Sequence, residues 1–288
     1  MTFSIVAWDR DAGPEWGVAV ASKFLGVGAL VPWARAGAGA LATQAFANLS
    51  YGPGGIERLS RGETAAEVVD ALTSADPKRE HRQLGVVDST GGVSTFTGSS
   101  CMEWAGGIGG MSYCCQGNIL MGPEVVEAMS RAFEGGSGDL ATRLLAALSA
   151  GDTAGGDRRG KQSAAVLVVR PGGGYGRGTD RAVDLRVDDH AEPVAELERL
   201  LDRHRLHFPR REELDFVAVD ESLAQELRVL LAAIGRDPGA GSGYDNRLVR
   251  ALLEFVGTEN LEERWNEGPR VERGVLRYLR DQAGGRPT

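Results

Sequence analysis

Thr2-Phe3-Ser4-Ile5-Val6-Ala7, followed across Asp9-Arg10-Asp11-Ala12-Gly13-Pro14 by Trp16-Gly17-Val18-Ala19-Val20-Ala21-Ser22, decides how the chain is read. Two β-rich runs on either side of an Asp/Gly/Pro cluster predict an antiparallel hairpin. Val27–Trp33 and Gly39–Gln44 predict two further short strands, and Gln83–Asp88 with Val93–Thr97 a second hairpin across Ser89-Thr90-Gly91-Gly92. Helical spacing takes over at Gly55–Leu59 and Thr64–Ser74, where Ala65, Val68, Val69 and Leu72 share one stripe. Pro123–Phe133 and Leu140–Ala150 predict two more helices, and Ser163–Arg170 with Ala182–Val187 a last hairpin around the glycine-rich loop 171–178. The stretch from Ala105 to Gly110 reads as a glycine-rich bend. Runs of hairpins cannot build an all-parallel sheet, so the expected class is α+β, with antiparallel sheets covered by helices.

The texture changes after Asp188. Glu192–Leu206 and Glu221–Ile234 are charged amphipathic helices, Asp237–Gly243 is a Gly/Pro connection, and Asn246–Val256 and Val271–Arg280 are shorter helices. Residues 1–210 are therefore expected to form one domain and 211–288 a small helical module.

A net charge of −8 on 288 residues argues against nucleic acid or an anionic membrane as partner, since both require basic surface. No apolar run approaches the roughly 20 residues of a membrane span, and no basic n-region with an apolar h-region precedes Thr2. Three cysteines, two of them adjacent, do not make a disulfide framework. The expected compartment is the cytoplasm. Glycine, 41 residues, is about twice the usual ~7 % and is concentrated before residue 180, which signals tight turns and close backbone approaches.

Several groups carry candidate chemistry. Removal of Met1 would place a free α-amine and a hydroxyl on one residue, Thr2, so that one residue supplies both base and nucleophile. The reference pKa of that amine, about 7.7–8.0, lies near working pH. Ser22 and Lys23 end the strand paired with the first, and a nearby ammonium would favour the neutral amine; a solvated strand-end lysine is the bland alternative. Gln44 and Asn48 lie in an apolar setting where amides hold a substrate carbonyl or oxyanion, or else satisfy buried backbone. Cys101 is the rival nucleophile, although a lone cysteine is more often an inert buried hydrophobe. In 155–163, Asp157 and Ser163 are candidates to orient the amine, and Arg158 or Gln162 to meet a substrate carboxylate. The alternative is a charged loop with a strand-capping serine. His81, His190, His204 and His207 form no zinc pattern, and no phosphate-binding glycine motif is present, so no metal or cofactor is expected.

Thr2–Ala7, Gly17–Lys23, Val31-Pro32-Trp33-Ala34, Ala42-Thr43-Gln44-Ala45, Tyr51-Gly52-Pro53, Gln116-Gly117-Asn118 and Gln162-Ser163-Ala164-Ala165 together resemble the DUF1028 family, placed in the N-terminal-nucleophile (Ntn) hydrolase superfamily. The resemblance runs from Thr2 to about Phe208. Leu252–Phe255, Glu259–Arg264 and Val275–Arg280 resemble the small helical module, described as peptidoglycan-binding, that often follows it. The resemblance implies a four-layer αββα sandwich, Thr2 as nucleophile and amide hydrolysis as reaction class. It supplies no substrate, and the peptidoglycan label is taken as the name of a fold. Gly107 stands where many relatives carry a histidine, so no role of that histidine transfers.

The leading expectation is an amidohydrolase of small amides. Thr2 is nucleophile and base, Ser22, Lys23 and Asp157 tune the amine, and Gln44, Asn118 or glycine-loop amides hold the oxyanion. The rivals are a non-catalytic binding or scaffold protein on the same fold and a Cys101-dependent hydrolase. Apolar helix faces on such a sandwich favour a homo-oligomer.

Overall fold

The computed structural model describes residues 2–10 and 13–285; Met1 and the Asp11-Ala12 part of the first expected turn lie outside the described residues. The opening hairpin is β1 (Thr2–Asp9) and β2 (Glu15–Ser22), paired from Phe3↔Ala21 to Asp9↔Glu15. β3 (Pro32–Arg35), β4 (Gly39–Ala45), β5 (Arg82–Asp88) and β6 (Val93–Thr97) form a four-stranded antiparallel sheet in that order. Only the end of the expected strand Val27–Trp33 is extended; Val27–Ala29 is a short 3-10 turn.

The larger sheet has six strands. β1 and β2 sit at its centre, with β9 (Ser163–Val169) and then β10 (Arg181–Val187) beyond β2, and β8 (Tyr113–Asn118) and then β7 (Gly106–Gly110) beyond β1. β7 and β8 correct the sequence reading, which had a bend at 105–110 and no strand after it. Glycine disfavours a strand locally, but here a side chain has no room. A Cβ on Gly110 would stand 2.2 Å from the Tyr113 ring. Close packing of β8 over β7 thus overrides local propensity.

Alternation along the strands sorts the layers. On β1, Phe3, Ile5 and Ala7 face a core shared with α3 (Glu124–Gly135), α4 (Leu140–Thr153) and α5 (Pro193–His207), where Val126, Met129, Leu144, Leu148 and Leu197 are buried. Leu41, Leu84 and Val86 of the smaller sheet face Tyr51, Leu59 and Val68 of α1 (Tyr51–Ser60) and α2 (Ala65–Ser74). Between the sheets, Val6, Val18, Val20, Ala40, Ala42, Val87 and Cys114 form a third core. The layers run helix, sheet, sheet, helix: the αββα sandwich of an α+β protein. Thr64 and Glu67 close a reciprocal capping box at the start of α2, a feature the sequence reading had not named.

The inter-sheet layer is not apolar throughout. Towards the Thr2 end the same strand faces carry Ser4, Gln44, Gln83, Gln116 and Asn118, all buried. Gln116 needs the space that Gly85 leaves, since a Cβ there would lie 2.1 Å from Gln116 Oε1. Gly85→Val is expected to lower stability by about 1–3 kcal/mol by overpacking this layer, read as a shift in the chemical-denaturation midpoint with an unchanged slope.

The chain forms two compact units, with the boundary in sequence between Leu201 and Asp202. In the second, α6 (Glu221–Ala233), α7 (Asn246–Thr258) and α8 (Arg273–Ala283) pack around Leu227, Leu231, Leu252, Phe255 and Leu279. β11 (Phe216–Ala218) and β12 (Arg270–Glu272) add a short antiparallel ribbon that helical periodicity did not reveal. The helix expected from Val271 starts at Arg273 because the Glu272 carboxylate caps the backbone N–H groups of Gly274 and Val275.

Candidate active site

Thr2 opens the central strand β1, and its even-numbered face points between the sheets. Its hydroxyl shares a 3.1 Å hydrogen bond with Ser22 Oγ, and the residue is 7 % exposed. The register places Thr2 opposite Asn118 on β8. Asn118 Nδ2 donates to the Thr2 carbonyl at 3.5 Å, and Gln44 Nε2 donates to the same oxygen at 3.3 Å.

Behind Thr2 the carboxamides interlock. Gln44 Nε2 and Asn118 Nδ2 both donate to Gln83 Oε1, at 2.8 and 2.9 Å. Gln83 Nε2 donates to the Gly117 carbonyl at 2.7 Å and to Thr97 Oγ1 at 2.9 Å. Ser4 Oγ accepts from Gln116 Nε2 and donates to Gln44 Oε1, both at 2.7 Å. A buried network of this kind is stable only in one arrangement, because each unmade bond strands a polar atom away from water. Through Gln44 and Asn118 it clamps the Thr2 carbonyl, while Gln116 Oε1 stays buried without a partner among the described residues.

Asn118 also lines a cleft of about 480 Å³, together with Ala45, Phe46, Lys78, His81, Ser100, Cys101, Met102 and Ile119. Thr2 is not on its wall; Asn118 links the two. Ala45 (φ 66°) and Ile119 (φ 51°) both hold left-handed backbone conformations at the ends of β4 and β8, which is costly for a residue with a Cβ and most of all for a β-branched one. Such conformations concentrate where a site requires a particular backbone path.

The wall carrying Phe46 is braced from within. Arg82 Nε donates to Asp76 Oδ2 at 2.8 Å and its Nη1 to the Phe46 carbonyl. Asp76 Oδ2 also accepts from Asn48 Nδ2 at 2.9 Å and from Tyr51 OH at 3.0 Å. The Arg82 bond, ahead of those from Asn48, the Lys78 N–H and Tyr51, holds the Asp76 carboxyl well below the usual carboxylate range against the cost of burial. Burial, followed by the hydrogen bond to Asp76, pushes the Tyr51 phenol far up.

Only some of the predicted residues converge. Thr2, Ser22, Gln44 and Asn118 meet as described, but Gln44 is fully enclosed in the network and has no open face towards a substrate. Asn48 braces Asp76 and, through Oδ1, accepts from the Ser50 N–H at 3.1 Å. Lys23 and Asp157 have other partners than the amine assigned to them: Lys23 Nζ donates to the Lys161 carbonyl at 3.2 Å, and Asp157 Oδ2 accepts from the Lys23 N–H at 2.7 Å. Together they shape the loop that follows Ser22. Ser163 Oγ accepts from the Val27 N–H at 3.1 Å and donates to the Phe24 carbonyl, a loop-fastening role instead of an orienting one. Gln162 Nε2 donates to Asp189 at 3.1 Å, and Arg158 is exposed, its N–H reaching the Ile119 carbonyl at 3.4 Å.

Cys101 lies in the cleft, where its Sγ donates to the Arg82 carbonyl at 3.3 Å and burial pushes its pKa up. That favours the thiol over the nucleophilic thiolate. Among the described residues no three His, Cys, Asp or Glu side chains converge as metal ligands, and none of the helices is long and apolar enough to cross a membrane.

Sequence reasoning missed Gln83, Ser4, Lys78 and His81, and took Gln116 only as part of a motif. The signal for the network was present: Thr2-x-Ser4 and Gln116-x-Asn118 place two polar residues in phase on otherwise apolar strands.

A four-layer sandwich with a threonine heading its central strand beside a cleft is the class of protein that this geometry defines. The model of the family described as "Family of unknown function (DUF1028)" matches residues 2–197, and the chain belongs to that family. A model described as "Putative peptidoglycan binding domain" matches residues 207–279. Among solved structures, the crystal structure of a DUF1028 protein from Silicibacter pomeroyi is similar, with 34 % identity and a TM-score of 0.65 over 71 % of this chain and 86 % of that one. No curated protein matches the chain significantly.

Proposed function

We propose that the protein hydrolyses a small-molecule amide with Thr2 as N-terminal nucleophile, once cleavage of the Met1–Thr2 bond has released its amine. The observation that carries this reading is the setting of the Thr2 hydroxyl: almost fully buried, bonded at 3.1 Å to Ser22, and carried on a backbone clamped by Gln44 and Asn118. An ordinary second residue needs no such support.

In the proposed reaction the α-amine takes the Oγ1 proton while Oγ1 bonds to the substrate carbonyl carbon. Ser22 orients Oγ1 through its hydroxyl. Asn118 lines the cleft, and in the proposed reaction it exchanges its longer, 3.5 Å bond to the Thr2 carbonyl for one donated to the oxyanion, keeping the 2.9 Å bond to Gln83. The C–N bond then breaks, the amine's proton goes to the leaving nitrogen, and water opens the Thr2 ester to give a carboxylic acid and an amine. The fit to the Ntn-hydrolase pattern that the resemblance implies supports the same assignment.

The test joins intact mass to turnover. The reading expects loss of the mass of one methionine from the native protein and hydrolysis of at least some members of a small-amide library. Retained Met1 with no hydrolysis would leave a binding or scaffold role. Cys101→Ser is expected to keep kcat/KM within about threefold, because a thiol held protonated is a poor nucleophile; a loss of three orders of magnitude or more would move the chemistry to Cys101.

A further inference from the structure

We infer that the substrate is an N-acylated amino acid or a close analogue, with an apolar acyl group and a free carboxylate on the amine half; this rests on the Thr2 reading above and names its substrate class. The cleft beside Asn118 carries the ammonium of Lys78 and the imidazole of His81 on its wall, and no carboxylate. That is notable on a chain whose net charge is −8.

The nearby acids do not neutralise it. Asp76 is committed to Arg82, Asn48 and Tyr51. Glu80 is held by Arg79 Nε at 3.1 Å and by the Ser99 hydroxyl at 2.8 Å. The ion pair of this segment that lies nearest in sequence to Lys78 is Arg79–Glu80, and Lys78 takes part in no described salt bridge. A cation on the wall of a cleft that holds no carboxylate attracts an anion more strongly than one already paired on open surface.

The rest of the wall points to an apolar partner. Phe46 and Met102 line the cleft while 70 % and 67 % exposed, although side chains of this size are usually covered. Ile119 continues the same surface from a backbone conformation it would not adopt freely. The volume, about 480 Å³, suits a small amide with both parts. Hydrolysis consumes one water, breaks the C–N bond and releases an apolar carboxylic acid and an amino acid.

The experiment separates this inference from the nucleophile itself. N-phenylacetylglycine, its methyl ester and N-acetylglycine are titrated calorimetrically into the Thr2→Ala protein, where binding is measured without turnover. The acid is expected to bind at least about tenfold tighter than either analogue, with a preference over the ester that fades as salt is raised. Adding Lys78→Met, a change at an exposed side chain, is expected to bring the acid to the level of the ester and leave the ester unchanged. Equal binding of acid and ester, persistence of the preference without Lys78, or no binding of any of the three would overturn the inference. Acid-selective binding with no turnover by the wild-type protein would keep the inferred ligand and remove the nucleophile. Turnover of neutral amides with no gain from a carboxylate would remove the ligand class and keep the nucleophile.

Discussion

Thr2→Ala is expected to abolish amide hydrolysis, with kcat/KM falling by at least about 10⁴-fold, while the protein still folds. Removing a nucleophile that acts as a unit with its base costs nearly the whole covalent route. Structurally the change deletes one methyl group and one hydrogen bond, that to Ser22 Oγ, worth about 1 kcal/mol. The carbonyl that anchors Gln44 and Asn118 belongs to the backbone and survives the substitution. The circular-dichroism spectrum should therefore match the wild type while turnover disappears. Thr2→Ser, which keeps Oγ, should retain measurable activity, and a protein that keeps Met1 should behave like Thr2→Ala. Activity of Thr2→Ala within tenfold of the wild type would place the chemistry elsewhere.

Arg82→Met is expected to destabilise the protein by about 3–5 kcal/mol, because it leaves the Asp76 carboxylate buried without its countercharge. The side chains of Arg82 and Asp76 are 8 % and 7 % exposed, and water cannot readily replace the lost guanidinium. The effect should read as a fall of roughly 6–20 °C in melting temperature. It should also depend on pH in a defined direction. The folded-state pKa of Asp76 is depressed, so the stabilisation that the pair supplies is complete above the unfolded carboxyl's pKa of about 3.9 and is lost as pH falls below it. The gap between wild type and variant should be constant from pH 6 to 8 and narrow below about pH 4. A constant gap down to pH 2.5 would show that the loss is one of packing and not of charge. Since Arg82 also binds the Phe46 carbonyl, the variant should loosen one wall of the cleft as well.

The legible parts of this fold are those in which local pattern and tertiary demand agree. The opening hairpin, the hairpin of β5 and β6, and the amphipathic helices α2, α3 and α6 follow from alternation and helical spacing; the caps Thr64 and Asp220 emerge only in the structure. The strand β7 was hidden because Gly106–Gly110 has no strand propensity of its own; it is extended because β8 lies beside it and Tyr113 fills the space above Gly110. At the site, Thr2 and Ser22 were read from their places at strand ends, and Asn118 from the Gln116-Gly117-Asn118 motif beside the glycine-rich bend, with no strand read there. Lys23 was assigned its role from its place at the end of the strand paired with the first, and Asp157 and Ser163 from a polar, glycine-flanked loop; the bonds of Lys23 and Ser163 run to loop backbone, and Asp157 binds the Lys23 N–H and the Arg159 guanidinium.

The amino-acid sequence by itself determined the α+β class, the family and the threonine at the head of the first strand, because period-two and period-3.6 patterns and short ordered motifs are local properties of a chain. Tertiary structure alone decided that Gln44, Gln83, Gln116 and Asn118, drawn from three separate strands, interlock behind Thr2, and that Lys78 and His81 share a cleft with Phe46 and Met102. The reason is geometric. A hydrogen bond between carboxamides or a charge in a cleft depends on distances of a few ångströms between residues far apart in sequence, and those distances exist only once two sheets have packed face to face.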